Sequence, residues 1–416
     1  MPAASALGSA PGGPVPTGEL GTVAKEIVVR EKGQASPRLV RVEKGASVAA
    51  RLRELRGKDD VVYAARNPIA RATAFNPNDP GLSGAAGGWR DAQWNFLPLI
   101  GVNAPDAWTN LSNAGRPGGS GTIVAVIDSG VAYSSRGQYR ASPDFSRSQF
   151  VRGYDFLSKD DRPHDASGHG THVASTIAER TNNGVALTGL AYGTKIMPIR
   201  VLNAQGFGDA DDIARGVRYA VRRGADVINL SMEFDPRIGA RDVPSLVDAL
   251  RHAESRGVVV VAAAGNQGAA GVPYPARYRT VVAVGATTIR RCAANYSNYG
   301  SRVDLVAPGG GRDADLPDAG CDPAAAQSPE ILQMTFFERR PGAFGFPSGY
   351  QGTSMAAPHV SATAALVIAS RVLGARPSPR SVLRHLQGTA QEAGPPGEDK
   401  HYGAGLLDAA AATAPR

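Results

Sequence analysis

Three short motifs place an acid, an imidazole and a hydroxyl where each could take part in acyl transfer. Asp128 ends the apolar run VIDSG, His169 opens a helical stretch in DASGHGTHVAS, and Ser354 opens another in GTSMAAPHV. A carboxylate can orient an imidazole, which takes a proton from a hydroxyl and later passes it to a leaving amine. The three residue types together predict a nucleophilic serine served by a base and an orienting acid.

Each motif has an ordinary structural interpretation when it is taken alone. An aspartate at the end of a strand is usually a cap, and a serine at the start of a helix is most often an N-cap. His169 and His172 form an HxxH pair that could bind a metal, but no third ligand follows at a convincing spacing. Because the other motifs supply an acid and a hydroxyl, they favour catalysis at His169 and a structural role for His172.

A fourth residue, Asn266, ends the apolar run VVVVAAAGN. Its side-chain amide can donate to negative charge that develops in a reaction, although an Asn that ends a strand usually lies in a turn. The first turn of a helix also offers oriented backbone N–H groups, which favour an oxyanion near Ser354.

The elements that must position these residues alternate along the chain. Short apolar, β-branched runs are separated by amphipathic stretches with helical periodicity, and no internal repeat is present; the runs are TIVAVID, KIMPIRVL, ADVINLSM, VVVVAAAGN and TVVAVGATT. Strands this apolar are buried on both faces, which is typical of a parallel sheet covered by helices. The fold class expected is α/β.

Composition shifts divide the chain into four parts. Residues 1–20 are an Ala/Gly/Pro leader expected to be disordered, and 21–73 read as a small strand–helix–strand unit of α+β type. Residues 74–98 are rich in Pro, Gly and Asn and predict a linker. Residues 99–416 form the large α/β domain.

Charge and cysteine content limit the classes of function. The net charge is +8, but residues 21–72 alone carry twelve basic and six acidic side chains. The large domain is therefore nearly neutral for its size. The hypothesis of nucleic-acid binding loses its main support. No apolar run is long enough to span a membrane, and residues 1–20 are not a recognisable secretory signal. Cys292 and Cys321 argue against a cysteine-based zinc site; two separate thiols and one disulfide both remain open.

The four motifs, in the order Asp, His, Asn, Ser, resemble the subtilase family of serine peptidases, and the resemblance runs from about residue 76 to 411. It implies a three-layer subtilisin-like domain in which Asp128 orients the imidazole, His169 is general base and acid, and Ser354 is the nucleophile. Asn266 and the Ser354 N–H would form the oxyanion hole, with Ser129 steadying Asp128 and Thr353 supporting the hole. The expected protein is a secreted, monomeric endopeptidase that acts on polypeptides.

The resemblance also implies a substrate cleft in which an extended peptide pairs as a strand between two enzyme segments. The matching positions are Gly206, Phe207 and Gly208 on one side, Ser231, Met232 and Glu233 on the other, and Ala264 and Gly265 in one wall of the pocket for the residue before the cut. Here SMEF replaces the usual SLGG. Glu233 therefore suggests a preference for basic or polar side chains over large aromatics; the alternative is that it points into water and alters nothing.

Two further features follow from the resemblance. Residues 21–73 resemble a subtilisin propeptide, an intramolecular foldase and inhibitor whose removal by self-cleavage would fall between Arg71 and Pro77. The loop RTNNGVALTG matches a structural calcium site, for which oxygen ligands are suitable, although an ordinary polar turn would also fit this loop. The implied ligands are the side chains of Asp79, Asp144 and Asn183 and the carbonyls of Thr181, Val185 and Leu187.

Two other functions compete with this interpretation. One is a selective processing peptidase in which Glu233 sets the specificity, and the other is an inactive binding protein with the subtilase fold. Substrate profiling would separate the first and active-site labelling the second. The long insertion at 309–349 has no function that the sequence reveals.

Overall fold

The computed structural model describes residues 17–18, 22–43, 45–68, 75–317, 320–337, 340–397 and 399–415 of the 416-residue chain. The chain divides into two compact units, Met1–Thr73 and Ala74–Arg416. Most of the predicted leader and residues 69–74, which contain most of the predicted cleavage stretch, lie outside the described residues.

The N-terminal unit is an antiparallel sheet with one helix. Its strands are β1 (Thr17–Gly18), β2 (Thr22–Glu31), β3 (Arg38–Arg41) and β4 (Val61–Pro68), and its helix is α1 (Val48–Arg56). The long β2 pairs with each of the other three strands. The helix begins at Ser47, whose hydroxyl accepts from the Ala50 N–H, and its Leu52 and Leu55 pack on Ile27 and Val29 of β2. The strand–helix–strand pattern expected for this segment is therefore present.

A seven-stranded parallel sheet forms the centre of the larger unit. Its strands are β5 (Ile123–Asp128), β6 (Tyr154–Asp155), β7 (Lys195–Arg200), β8 (Val227–Leu230), β9 (Val259–Ala263), β10 (Val281–Thr287) and β11 (Leu305–Pro308). They lie in the order β11-β10-β9-β8-β5-β7-β6. Every neighbouring pair is parallel.

Helices cover both faces of this sheet. They are α2 (Trp89–Ala92), α3 (Ala104–Asn113), α4 (His169–Ala178), α5 (Ala210–Arg222), α6 (Pro244–Ser255), α7 (Thr353–Ser370), α8 (Pro379–Gly388) and α9 (Ala409–Thr413). Side chains of α5 and α6 pack in one hydrophobic cluster, and those of α3, α4, α7, α8 and α9 in the other. The three-layer α/β architecture expected from the sequence is confirmed.

Strand β5 shows why its sequence is apolar throughout. Val124 and Val126 belong to the cluster under α4 and α7, while Ala125 and Ile127 belong to the cluster under α5 and α6. Because successive side chains point to opposite faces, a strand buried on both sides needs an apolar residue at every position. Asp128 is the exception at the end of the strand.

The 309–349 insertion lies on the helix that begins at His169. A short hairpin of β12 (Thr335–Phe336) and β13 (Phe344–Gly345) belongs to it, and Ile331 and Phe336 are buried. The open question about the cysteines is answered by a disulfide between Cys292 and Cys321, 29 residues apart in sequence, which ties the insertion to the domain. Closing a loop of this length stabilises a fold by about 3–4 kcal/mol through the lost entropy of the unfolded chain.

No helix within the described ranges has both the length and the apolar composition that a membrane span requires.

Candidate active site

The residues singled out from the sequence gather at the carboxyl ends of the central strands. Strand β5 ends at Asp128, and it has β7 on one side and β8 on the other, so the chain order reverses there. Parallel α/β sheets open a crevice at such a reversal, and ligands bind in it. Ser231 follows β8 directly, and Asn266 lies three residues after β9.

Asp128 and His169 are in direct contact. The Nδ1 atom of His169 lies 2.8 Å from Oδ1 of Asp128, whose side chain is fully buried. The N–H of Ser129 also donates to this oxygen, at 2.7 Å. The other carboxylate oxygen, Oδ2, has no partner among the residues that the structure describes. An anionic acceptor on Nδ1 leaves Nε2 of the imidazole free to accept a proton.

Ser129 steadies Asp128 through its backbone rather than its side chain. Its hydroxyl instead donates to Oδ1 of Asp165, at 2.9 Å, and accepts from the N–H of Gly170. Asp165 also accepts from the N–H groups of Gly168 and Thr171. Sequence reasoning missed this buried acid, although it stands four residues before His169 in DASGH, where a carboxylate can cap the following helix.

The start of α4 lies very close to the end of β5, and glycine makes that approach feasible. A Cβ atom on Gly170 would lie 2.1 Å from the Gly130 carbonyl oxygen and 3.1 Å from Oδ1 of Asp128. The residue beside the imidazole must therefore lack a side chain.

The surroundings of His169 raise its pKa. Burial by itself lowers the pKa of the imidazole, but the charge and hydrogen bond of Asp128, with a smaller contribution from Asp165, more than offset this and raise the pKa above 6.5. The His169 side chain remains 28 % exposed, so it faces the crevice.

Parts of the insertion buttress the helix that carries His169. The Thr335 hydroxyl donates to the carbonyl of Gly168, at 2.6 Å, and Ser175 donates to the Met334 carbonyl. His172 lies 2.8 Å from the Ile331 carbonyl and stacks on Tyr350. Burial lowers the pKa of His172 to about 3, so its imidazole is neutral at neutral pH.

Ser354 is the second residue of α7, and a proline four residues later changes its backbone partners. Pro358 has no N–H to donate to the Ser354 carbonyl, which accepts instead from the Ser231 hydroxyl at 2.8 Å. The Ser354 hydroxyl in turn donates to the Ser231 carbonyl at 3.2 Å. The described contacts therefore join Ser354 to Ser231 and do not pair its hydroxyl with His169.

Asn266 is fixed by the residue that precedes the serine. Both the N–H and the hydroxyl of Thr353 donate to Oδ1 of Asn266, at 2.8 and 3.0 Å. This orients the amide so that its NH₂ group is left to donate elsewhere. The Thr353 hydroxyl also accepts from the N–H of Gly265, at 3.1 Å, and so ties the segment after β9 to the start of α7.

The expected substrate segments lie on loops and strand ends. Gly206–Gly208 form a tight turn closed on Asn203, and the Phe207 side chain is 73 % exposed. Ser231, Met232, Ala264 and Gly265 are buried, while Glu233 is half-buried.

Comparison with known proteins agrees with this geometry. Residues 119–405 match the model of the Subtilase family. The chain belongs to the subtilase family. It is 35 % identical over 326 residues to the "Thermophilic serine proteinase" of Bacillus sp. (strain AK1), covering 78 % of this chain and 68 % of that protein. It is 36 % identical over 296 residues to "Subtilisin Savinase" of Lederbergia lenta, covering 71 % and 91 %.

Solved structures show the same relationship. A structure of a protease from Pseudoalteromonas arctica superposes with a TM-score of 0.65 at 31 % identity, and the match covers 82 % of this chain and 99 % of that one. The relatives are named serine proteinases and subtilisins, and this subtilase is a serine endopeptidase.

The residues of the expected calcium site in this subtilase form one cluster. Asp79 accepts from the N–H groups of Asn182 and Asn183, and Asp144 accepts from the Asn183 side chain at 2.7 Å and from the Leu187 N–H at 3.4 Å. Asp79 and Asp144 are fully buried. The carbonyl-bearing residues Thr181, Val185 and Leu187 lie on the same loop.

A third acid, which sequence reasoning missed, lies near enough to Asp144 and Asp79 for their charges to affect it. Glu179 is fully buried, and the Met334 backbone is the neighbour that favours its charged form. Burial, with repulsion from Asp144 and Asp79, raises the pKa of Glu179 well above its usual value, and burial raises that of Asp144 to about 7. A divalent cation would offset this crowding of buried carboxyls, and the all-oxygen donor set suits calcium. The donor set therefore suits the ion, and the Asn183 amide, whose nitrogen now donates to Asp144, would turn its oxygen inward to bind it.

Proposed function

We propose that this subtilase is a secreted, self-processing endopeptidase that cuts polypeptides through an acyl-enzyme on Ser354. The observation that carries the proposal is the 2.8 Å contact between His169 Nδ1 and the buried carboxylate of Asp128, at the crevice that also holds Ser354. In this assignment Asp128 orients the imidazole, His169 is general base and acid, and Ser354 is the nucleophile.

The first half of the reaction forms one bond, breaks one bond and relays one proton from the serine to the leaving amine. The Ser354 hydroxyl turns from the Ser231 carbonyl towards Nε2 of His169, which takes its proton as Oγ attacks the carbonyl carbon of the scissile peptide. Asp128 stabilises the imidazolium that results. When the tetrahedral intermediate collapses, the C–N bond breaks and His169 returns the proton to the leaving amine. Water then hydrolyses the acyl-enzyme by the same route in reverse.

The negative charge of the tetrahedral intermediate requires donors that are already in place. The NH₂ group of Asn266 is one, because Thr353 occupies its oxygen. The N–H of Ser354 is another, since the first turn of α7 leaves its N–H groups without helical acceptors. Donors held in this way need no reorganisation as the charge develops, which is the main source of their catalytic effect.

Secretion and processing complete the proposal. The disulfide between Cys292 and Cys321 is of a kind that persists in oxidising compartments. Residues 21–73, which belong to a compact unit of their own, would act as foldase and inhibitor until cleavage between Arg71 and Pro77 releases the peptidase. Calcium would be held by Asp79, Asp144, Asn183 and the carbonyls of Thr181, Val185 and Leu187, and it would supply structural charge neutralisation rather than chemistry.

Intact-mass analysis tests the proposal directly. The full chain is incubated with calcium and a fluorophosphonate serine probe, beside a Ser354→Ala variant. We expect the loss of about the first 75 residues and one probe adduct in the wild type, and neither change in the variant.

The two parts of the proposal can fail separately. Labelling without loss of mass would keep Ser354 as the nucleophile and refute self-processing. Folded wild-type protein that takes no label, even after the N-terminal unit has been removed, would overturn the catalytic assignment in favour of an inactive binding protein.

A further inference from the structure

The pocket wall beside Asn266 holds a carboxylate that the mechanism does not use. Glu233 belongs to the segment Ser231 to Glu233, and one of its oxygens, Oε2, is buried without a hydrogen-bond partner among the described residues. The structure records no ion pair to Glu233 within those same ranges. A buried carboxylate oxygen left without a partner is costly, so it marks a place where a donor from outside the protein would bind favourably.

The other oxygen of Glu233, Oε1, is held by the side-chain amide of Gln267, which the Asn298 amide orients, and backbone contacts fix the orientation of Asn298. The buried side chain of Asn298 accepts at Oδ1 from the N–H groups of Gln267 and Ala269. Its NH₂ group therefore faces the other way, where it donates to the Ala264 carbonyl at 3.1 Å and to Oε1 of Gln267 at 2.7 Å.

This arrangement determines what Gln267 presents to the pocket. Because its oxygen is taken by Asn298, Gln267 must turn its NH₂ group towards Glu233, and it donates to Oε1 at 2.9 Å. The carboxylate is thus clamped at one oxygen through a chain of contacts that begins at the backbone.

The clamp holds Glu233 against the wall of the pocket. A Cβ atom built on Gly265 would lie 2.3 Å from Oε2 of Glu233 and 3.1 Å from Oε1 of Gln267. Gly265, whose φ is +101°, has no side chain to separate the carboxylate from the wall. The unpartnered oxygen therefore lies against the Gly265 backbone, in the wall formed by segments 231–233 and 264–266, which the proposed function assigns to the pocket for the residue before the cut.

We propose that Glu233, positioned by Gln267 and Asn298, selects substrates with lysine or arginine immediately before the scissile bond. This inference rests on the proposed function and names its substrate class. An ammonium or guanidinium group supplies the missing donor and the opposite charge together, whereas an uncharged donor supplies only the first. A large aromatic side chain would compete with the carboxylate for the pocket and leave Oε2 without a partner.

Matched peptide substrates measure this preference. The processed enzyme, with active sites counted by the fluorophosphonate probe, is assayed on p-nitroanilides that differ only in the last residue: Lys, Arg, norleucine, Leu or Phe. Norleucine has a similar length to lysine and no charge. We expect kcat/KM for Lys to exceed that for norleucine by about 10- to 100-fold, the range of one hydrogen bond between charged groups.

Two variants attribute the preference to this carboxylate. In Glu233→Gln the ratio of Lys to norleucine should fall to near one, and in Gln267→Ala, which releases the clamp, it should fall partway. Glu254→Gln is the matched control, because Glu254 lies on the outer helix α6 and should keep the wild-type ratio.

The outcomes separate this inference from the proposed function. A labelled, active wild-type enzyme that prefers norleucine, Leu or Phe would overturn the role of Glu233 and leave the catalytic assignment intact. An unchanged ratio in Glu233→Gln would do the same. An enzyme that takes no label and cleaves none of the peptides would overturn both.

Discussion

Replacing Thr353 by valine tests how much the positioning of the Asn266 amide contributes to catalysis, because the amide itself is kept. Valine has nearly the shape of threonine, with a methyl group in place of the hydroxyl, and Thr353 is fully buried. In the wild type this hydroxyl donates to Oδ1 of Asn266 and accepts from the N–H of Gly265. The Thr353 N–H still donates to Asn266 in the variant, so the amide loses one of two restraints.

The size of the effect can be bounded. One neutral hydrogen bond contributes about 0.5–1.5 kcal/mol, which corresponds to about a 2- to 12-fold fall in kcat if the restraint acts wholly in the transition state. The upper bound is removal of the donor, about 100- to 1,000-fold, a range established on subtilisin, a member of this family. Stability should also fall by about 1–3 kcal/mol, because the Gly265 N–H is left buried without an acceptor.

Steady-state kinetics on one peptidyl p-nitroanilide, with the active sites titrated, separates the two effects. We expect kcat and kcat/KM to fall together while KM changes by less than about twofold, since the lost restraint acts in the transition state. Thr353→Ser keeps the hydroxyl and should restore kcat. A fall in stability with unchanged kcat, or a serine variant as slow as the valine variant, would show that Thr353 is structural only.

Two further predictions concern protons and calcium. Because Asp128 raises the pKa of His169, the acidic limb of the kcat/KM profile should have its midpoint above pH 6.5, with activity lost as the pH falls through it. Asp128→Asn should lower both this midpoint and the rate. A wild-type midpoint below pH 6.5 would contradict the reasoning. Chelation of calcium with EDTA should lower the thermal midpoint of the processed enzyme, by the equivalent of about 2.7 kcal/mol if calcium was at 100 times its Kd. Asp144→Asn should remove this dependence on calcium. A calcium effect that persists in the variant would show that the ion binds at another site.

The fold was predictable because its strands are buried on both faces. Every position of β5 before Asp128 is apolar, and such runs have few alternatives to a parallel sheet. The helices that begin at His169 and Thr353 were predicted because a glycine precedes each of them and apolar residues follow. The architecture and the family are confirmed, while the roles of the individual site residues remain predictions.

Contacts between residues distant in sequence were not predictable. Asp165 could have been suspected from its place before His169, but its contact with Ser129 joins two loops. Thr335 belongs to an insertion with no recognisable motif, and only the folded chain shows that its hydroxyl holds the residue before the imidazole. A sequence pattern identifies which residue types are available, whereas hydrogen bonds of this kind depend on how the insertion folds back.

The tie between Ser354 and Ser231 connects substrate recognition to the nucleophile. Pro358 leaves the Ser354 carbonyl to the Ser231 hydroxyl, so the start of α7 is held by a segment proposed to bind substrate. The Ser354 hydroxyl rests on the Ser231 carbonyl, which is also an acceptor that an added substrate strand would use. A substrate N–H that takes this carbonyl would displace the hydroxyl and leave it free to turn towards His169. Formation of the nucleophile–base hydrogen bond would then depend on the peptide being in place, so Ser354 would be activated only when a scissile carbonyl lies beside it.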